Sequence, residues 1–211
     1  LNSCPLCGEE KSTDYHQDKH RAYRQCANCQ LVWVPAQYHL SPQQEKAEYD
    51  KHQNNPQDPG YRQFLARCFN PLATKLKAGA VGLDFGCGPG PAISAMAADK
   101  GYEVTNYDPI YFNSATALSN RYEFITLTEV IEHVAAPDRL LEQLDAMLKP
   151  SAILAIMTKR VSNQQAFSRW HYKNDPTHIC FYSDKTFQWI GQKMNWQLEI
   201  IDKDVVFFYP D

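Results

Sequence analysis

Leu83-Asp84-Phe85-Gly86-Cys87-Gly88-Pro89-Gly90 is the stretch that decides how this chain folds. It begins as a buried strand and stops abruptly in a turn with glycines at alternate positions. Glycine at that spacing lets the backbone turn tightly and approach a ligand with no Cβ in the way. The turn feeds an alanine-rich helix expected over residues 92–100, whose first amides can face polar ligand groups. A dinucleotide-binding fingerprint would place its third glycine at position 91, which is proline here. The pattern is instead D-x-G-x-G-x-G, with the third glycine one residue early.

Outward from this turn the chain alternates strands and helices, the mark of an α/β fold. A strand expected over Tyr102–Tyr107 ends at Asp108, 24 residues after Asp84. A carboxylate at that strand end can accept both ribose hydroxyls of a nucleoside held over the glycine turn. Further strands are expected over Phe124–Thr128 and Ala152–Met157, with an amphipathic helix over Pro137–Leu148 between them. Ser183 caps a helix to Met194, and Trp196–Ile201 with Val205–Tyr209 form a closing hairpin. Upstream, Tyr61–Leu76 carries apolar residues at helical spacing, and Pro71 is expected to kink it or split it in two. Residues 36–60 are rich in Gln, Asn, Pro and His, with one short helix expected near Pro42–Asp50. They read equally as a solvated linker or as a lid over a pocket.

The glycine turn resembles motif I of the class I S-adenosylmethionine-dependent methyltransferases. The segment FITLTEVIEHVAAPDRLLEQLDAMLKP, Phe124 to Pro150, resembles the fourth-strand region of the small-molecule and RNA-end members, and the likeness extends over residues 72–209. It implies a Rossmann-like seven-stranded methyltransferase sheet, S-adenosylmethionine as cofactor, and a pocket built from Asp84, Gly86, Cys87, Gly88, Gly90, Asp108, Pro109, Thr128 and Glu129. The interval from Asp108 to Phe124 is short for a full strand and helix, so the third-strand region is expected to be reduced. The chain lacks the [DN]PPY motif of enzymes that methylate exocyclic amines and the CxxxCxxC motif of radical chemistry.

On the acceptor side, Glu129, Glu132 and His133 form an E-x-x-E-H pattern whose members share a face if they lie on a helical turn. In the small-RNA 3′-end 2′-O-methyltransferases and the ubiquinone-pathway O-methyltransferases a similar pattern holds a divalent ion. That resemblance implies a second metal site from Glu129, Glu132, His133 and His178; the alternative is that the acid and histidine only shape the cofactor pocket. The run Arg169–Ser183 follows the last parallel strand, where ligand-facing loops gather. Its two histidines, His171 and His178, are candidate general bases because imidazole titrates near neutrality; either one alone reads first as a structural hydrogen-bonding residue, and the presence of both in a ligand-facing loop favours function.

Residues 1–35 hold two C-x-x-C knuckles, Cys4/Cys7 and Cys26/Cys29, 18 residues apart, the spacing of a tetrahedral Cys4 structural zinc site. The expected domains are thus a zinc ribbon over 1–35, a linker or lid with the first helix over 36–70, and the cofactor-binding domain over 71–211. The other three cysteines are scattered, so the seven together suit a reducing cytoplasm rather than a disulfide framework. No apolar leader opens the sequence and no run approaches a membrane span, so neither export nor membrane insertion is expected. Lysine and arginine total 21 against 24 acids, which disfavours a large nucleic-acid footprint. The ribbon itself carries four acids and four bases. The expected acceptor is a small molecule with a hydroxyl, thiol or similar nucleophile. The alternatives are an RNA methyltransferase that grips its substrate through the ribbon, and a non-catalytic scaffold that binds cofactor or a partner.

Overall fold

The structure, a computed structural model, describes residues 3–51 and 54–210. The chain opens with strands β1 (Ser12–Gln17), β2 (Ala22–Cys26) and β3 (Val32–Trp33), followed by helices α1 (Pro42–Tyr49) and α2 (Pro59–Ala73). Next come β4 (Val81–Phe85), α3 (Ala92–Ala98), β5 (Glu103–Tyr107), α4 (Ala115–Ser119), β6 (Tyr122–Thr128) and α5 (Pro137–Met147). The rest is β7 (Leu148–Met157), α6 (Gln164–Ser168), β8 (Cys180–Phe181), α7 (Asp184–Met194), β9 (Trp196–Asp202) and β10 (Val205–Pro210).

Six strands form the central sheet in the order β5-β4-β6-β7-β10-β9. The first four are mutually parallel, and β10 runs antiparallel between β7 and β9. Period-two alternation sorts the side chains to two faces. Phe124, Ile153, Ala155, Met157, Val205 and Phe207 pack under α2 and α3. Ile125, Leu127, Leu154, Ile156, Val206 and Phe208 pack under α5 and α7. The expected seven-stranded sheet is therefore six-stranded among the described residues. Between β5 and β6 the chain makes only the bridge Asp108–Phe112 and the short helix α4, so the reduction of the third-strand region is complete.

Helix α2 runs through Pro71 without a break, so the expected split into two helices does not occur. Pro71 lies in the last turn, where it removes only one amide donor before the helix stops at Thr74. Helix α1 starts where the short helix was expected, closed by a capping box between Ser41 and Gln44.

The ribbon is a meander whose last strand does not end it. Strand β3 pairs with β8, so the N-terminal sheet has the order β1-β2-β3-β8. The amide of Val34 also donates to the carbonyl of Ile179 at 2.9 Å. Leu31, Val34 and Tyr23 are buried in the same apolar cluster as Ile125, Leu154 and Phe181. Residues 3–34 thus share one core with a face of the central sheet, rather than packing as a separate unit.

Candidate active site

The glycine turn closes the C-terminal end of β4. The amides of Gly86 and Cys87 both donate to the carbonyl of Tyr107 on β5, at 2.7 and 3.1 Å, which pins the turn to its neighbour strand. Gly86 and Gly88 have φ of +76° and +64°, a region that L side chains rarely adopt. Tight approaches within the protein, as much as ligand space, exclude side chains here. A Cβ on Gly86 would lie 2.5 Å from a methyl of Val130, and one on Gly90 would collide with the backbone of Asn54.

Two carboxylates flank the turn. Asp108 accepts from the amides of Gly88 (3.1 Å), Ile110 (2.8 Å) and Tyr111 (3.0 Å), so it orders the turn and the segment beyond β5 together. Asp84 is 2 % exposed and accepts from the Thr126 hydroxyl at 2.8 Å. Burial raises its pKa to about 7, opposed by the Thr126 hydrogen bond and reinforced by the charge of Asp108. A carboxyl held in this way favours the fold when protonated. Its stabilising contribution is full below its unfolded value near 3.8 and is lost as pH rises through about 7. Asp84→Asn should therefore unfold at a higher temperature than the parent at about pH 8, with a gain that shrinks toward about pH 5. Thermal melts across that range would contradict this if the two midpoints stayed parallel.

One cavity of about 920 Å³ runs from this turn toward the opposite strand ends. Asp84, Gly86, Cys87, Gly88, Asp108, Pro109, Thr128 and Glu129 all line it, as do Ile110, Tyr61 and Phe64. Gly90 of the expected set does not line it, since Asn54 covers that position. Helix α1 and Asn54 contribute Glu45, Lys46, Tyr49 and Asn54 to the wall, so part of the segment expected to be linker or lid borders the cavity.

At the far end Glu129 leaves β6 with φ +55°, and a single 3-10 turn, Ile131–His133, follows it. The expected α-helical face of Glu129, Glu132 and His133 is thus not formed. Tyr172 instead gathers the two acids, donating to Glu132 and lying 3.2 Å from Glu129 Oε2. Burial pushes both carboxyls up, Glu129 further through the charge of Glu132. His178 donates Nδ1–H to the carbonyl of Tyr172 at 2.7 Å, which leaves Nε2 as the ring's acceptor, 3.8 Å from Asp175 Oδ2. Burial, together with the neighbouring His133, lowers its pKa to about 4. Glu132, His133 and His178 bring ligand atoms within 4.8 Å of one another, but Glu129 does not join that group. His171 stands apart: it is exposed on a short 3-10 turn, 3.2 Å from the Lys159 ammonium, and does not line the cavity.

Arg21, which nothing in the sequence marked, ties the ribbon to this region. It is 7 % exposed, and its guanidinium donates to the carbonyls of Lys173, Asp175 (2.6 Å) and Pro176 (3.1 Å) while Nε donates to Tyr23 Oη at 3.0 Å. Three carbonyls of the loop bearing His178 thus converge on one cation of the N-terminal sheet. In the ribbon the sulfurs of Cys4, Cys7, Cys26 and Cys29 lie within 4.8 Å of one another, with Cys4–Cys29 at 3.5 Å and Cys7–Cys26 at 3.4 Å. Thiolates about 2.3 Å from a tetrahedral zinc would sit about 3.8 Å apart, so the cluster fits that ion after a small expansion.

A mostly parallel sheet with a glycine turn, a following strand-end acid and a cavity across its C-terminal edge is a Rossmann-like arrangement. The chain belongs to the family whose model is described as a methyltransferase domain and matches residues 54–200. No curated protein matches the chain. Among solved structures it is similar to CalO1, the methyltransferase of calicheamicin biosynthesis in its S-adenosylhomocysteine-bound form. Identity there is 10 %, with 72 % of this chain and 55 % of that one covered and a TM-score of 0.54. It is also similar to magnesium protoporphyrin IX methyltransferase from Synechocystis PCC 6803 (13 % identity, 72 % and 84 % covered, TM-score 0.51). A SAM-dependent methyltransferase from Methanosarcina mazei gives 17 % identity, 66 % and 94 % covered, and TM-score 0.50. At these identities the likeness is one of fold.

Proposed function

We propose that this chain transfers the methyl group of S-adenosylmethionine to a nucleophile on a small molecule, in a reducing compartment, with structural zinc in its ribbon. The observation that supports this best is the single cavity joining the Asp84–Gly88–Asp108 turn to His178. When bound, the cofactor supplies an electrophilic methyl on a sulfonium. Asp108 would hold the ribose hydroxyls, and the buried Asp84 would pair with the cationic amino group at its other end. Closure by Tyr49 and Asn54 would keep water from the reacting atoms, so alignment does most of the work. His178 would accept the acceptor's proton at Nε2, the nitrogen left free by the hydrogen bond of Nδ1 to Tyr172. Cys4, Cys7, Cys26 and Cys29 would hold zinc. The metal alternative at Glu132, His133 and His178 has geometric support, but Glu132 is fully buried and engaged by Tyr172.

Calorimetry with S-adenosylhomocysteine and label transfer from methyl-labelled S-adenosylmethionine into a cell extract test this reading. Transfer should survive RNase treatment of the extract. His178→Ala should lower turnover about 100-fold or more while cofactor affinity stays within about twofold. Mild chelation that leaves the ribbon thiolates loaded should leave turnover intact; its loss would favour a divalent ion instead. A chain that binds neither cofactor nor product would end the methyltransferase reading.

A further inference from the structure

The acceptor end of the cavity is a box of rings with carboxyl groups set into its wall. Tyr172 and His178 have ring centroids 4.2 Å apart, His178 and His133 are 4.7 Å apart, and His133 and Tyr49 are 5.4 Å apart, so the four form a continuous arc. Glu129 enters this arc beside Tyr172, and its Oε1 is buried with no hydrogen-bond partner among the described residues. Asp175 enters it beside His178, with Oδ1 engaged by Thr177 and Oδ2 facing the imidazole. Glu45 lines the same wall, while Lys46 is neutralised by Asp50. Lys159 also lines the cavity, 5.0 Å from the centroid of Tyr172 and beside the exposed His171, so one face of that ring is taken by a resident cation and an incoming ammonium is held on the Asp175 side. Aromatic faces and the Asp175 carboxylate together favour a cation over a neutral hydroxyl.

We propose that the methyl acceptor is a small amine, taken up as its ammonium between Asp175 and Glu129 and enclosed by Tyr49, His133, Tyr172 and His178. This rests on the methyltransferase reading and names its substrate class. The ammonium, hydrogen-bonded to His178 Nε2, gives up one proton to solvent, and the freed nitrogen lone pair forms the new N–C bond. The C–S bond breaks as it forms, its electron pair stays on sulfur, and the product leaves as the methylated ammonium.

Tetramethylammonium, which cannot accept a methyl, and tert-butanol as its neutral counterpart probe the box in the S-adenosylhomocysteine complex. Tetramethylammonium should bind and shift the imidazole proton resonances of His133 and His178, whereas tert-butanol should do neither at the same concentration. Asp175→Asn should weaken that binding about tenfold while S-adenosylhomocysteine affinity holds. With labelled cofactor, a panel of primary and secondary amines should take up methyl where the alcohols and thiols of matching skeleton do not. Equal binding of the two probes, binding of neither, or label confined to alcohols or thiols would overturn the proposal. Absence of product binding would instead remove the methyltransferase reading beneath it.

Discussion

Gly86→Val should abolish measurable binding of S-adenosylhomocysteine, a loss of about 100-fold or more, and destabilise the fold by about 3 kcal/mol. Two costs combine. Position 86 has φ +76°, where a β-branched residue is badly strained. Its Cβ would also meet Val130 at 2.5 Å, in the segment between Glu129 and the 3-10 turn that carries His133. The intrusion therefore disturbs both ends of the cavity at once. Gly101→Ala is the control, because that site has φ +79° but nothing within 4 Å of the added Cβ. It should cost about 1 kcal/mol of strain and leave affinity unchanged. Calorimetry and thermal melts on both variants decide the matter; retained affinity in Gly86→Val would show that the turn does not build the cofactor site.

Cys4→Ser should release the zinc proposed for the ribbon and lower the midpoint of thermal unfolding of the whole chain by about 10 °C or more. A ribbon with its own core would melt alone and leave the α/β part intact. Here Leu31, Val34 and Tyr23 are buried in the cluster that includes Ile125 and Leu154, so losing the ribbon uncovers a face of the central sheet. The same change should free the carbonyls of Lys173, Asp175 and Pro176 from Arg21, and raise deuterium uptake over residues 171–179. Metal analysis, melting and hydrogen exchange on one preparation test the chain of cause. An unchanged midpoint with exchange confined to residues 3–34 would contradict it.

What the sequence disclosed and what it hid divide along sequence separation. The glycine turn, Asp108 and the hairpin of β9 and β10 are local patterns, each set by a few adjacent residues, and the structure places them as expected. The shortened interval between Asp108 and Phe124 likewise shows in a simple count. Strand β8 did not show, because two residues, Cys180 and Phe181, carry no periodicity and take their conformation from a partner far upstream. Arg21 was hidden for the same reason: its three acceptors in the distant loop are backbone carbonyls, which leave no trace in composition. The glycines were legible as glycines, but the identity of what crowds them was not, since Val130 and Asn54 arrive from other elements. His171 and His178 looked equivalent on the page. Only packing separates a ring exposed beside Lys159 from one buried under His133.

The pairing of β3 with β8 has a consequence for synthesis. Val32 and Phe181 are partners, so the ribbon's fourth strand does not exist until most of the chain has been made. Up to that point a nascent ribbon presents the bare edge of β3, with Val32 and Trp33 uncovered, to any other strand it meets. Closing so long a loop is slow, which prolongs the exposure. The segment that finally covers this edge is the one that continues from His178, so an emerging chain gains protection from its neighbours at the moment it gains the wall of its acceptor cavity.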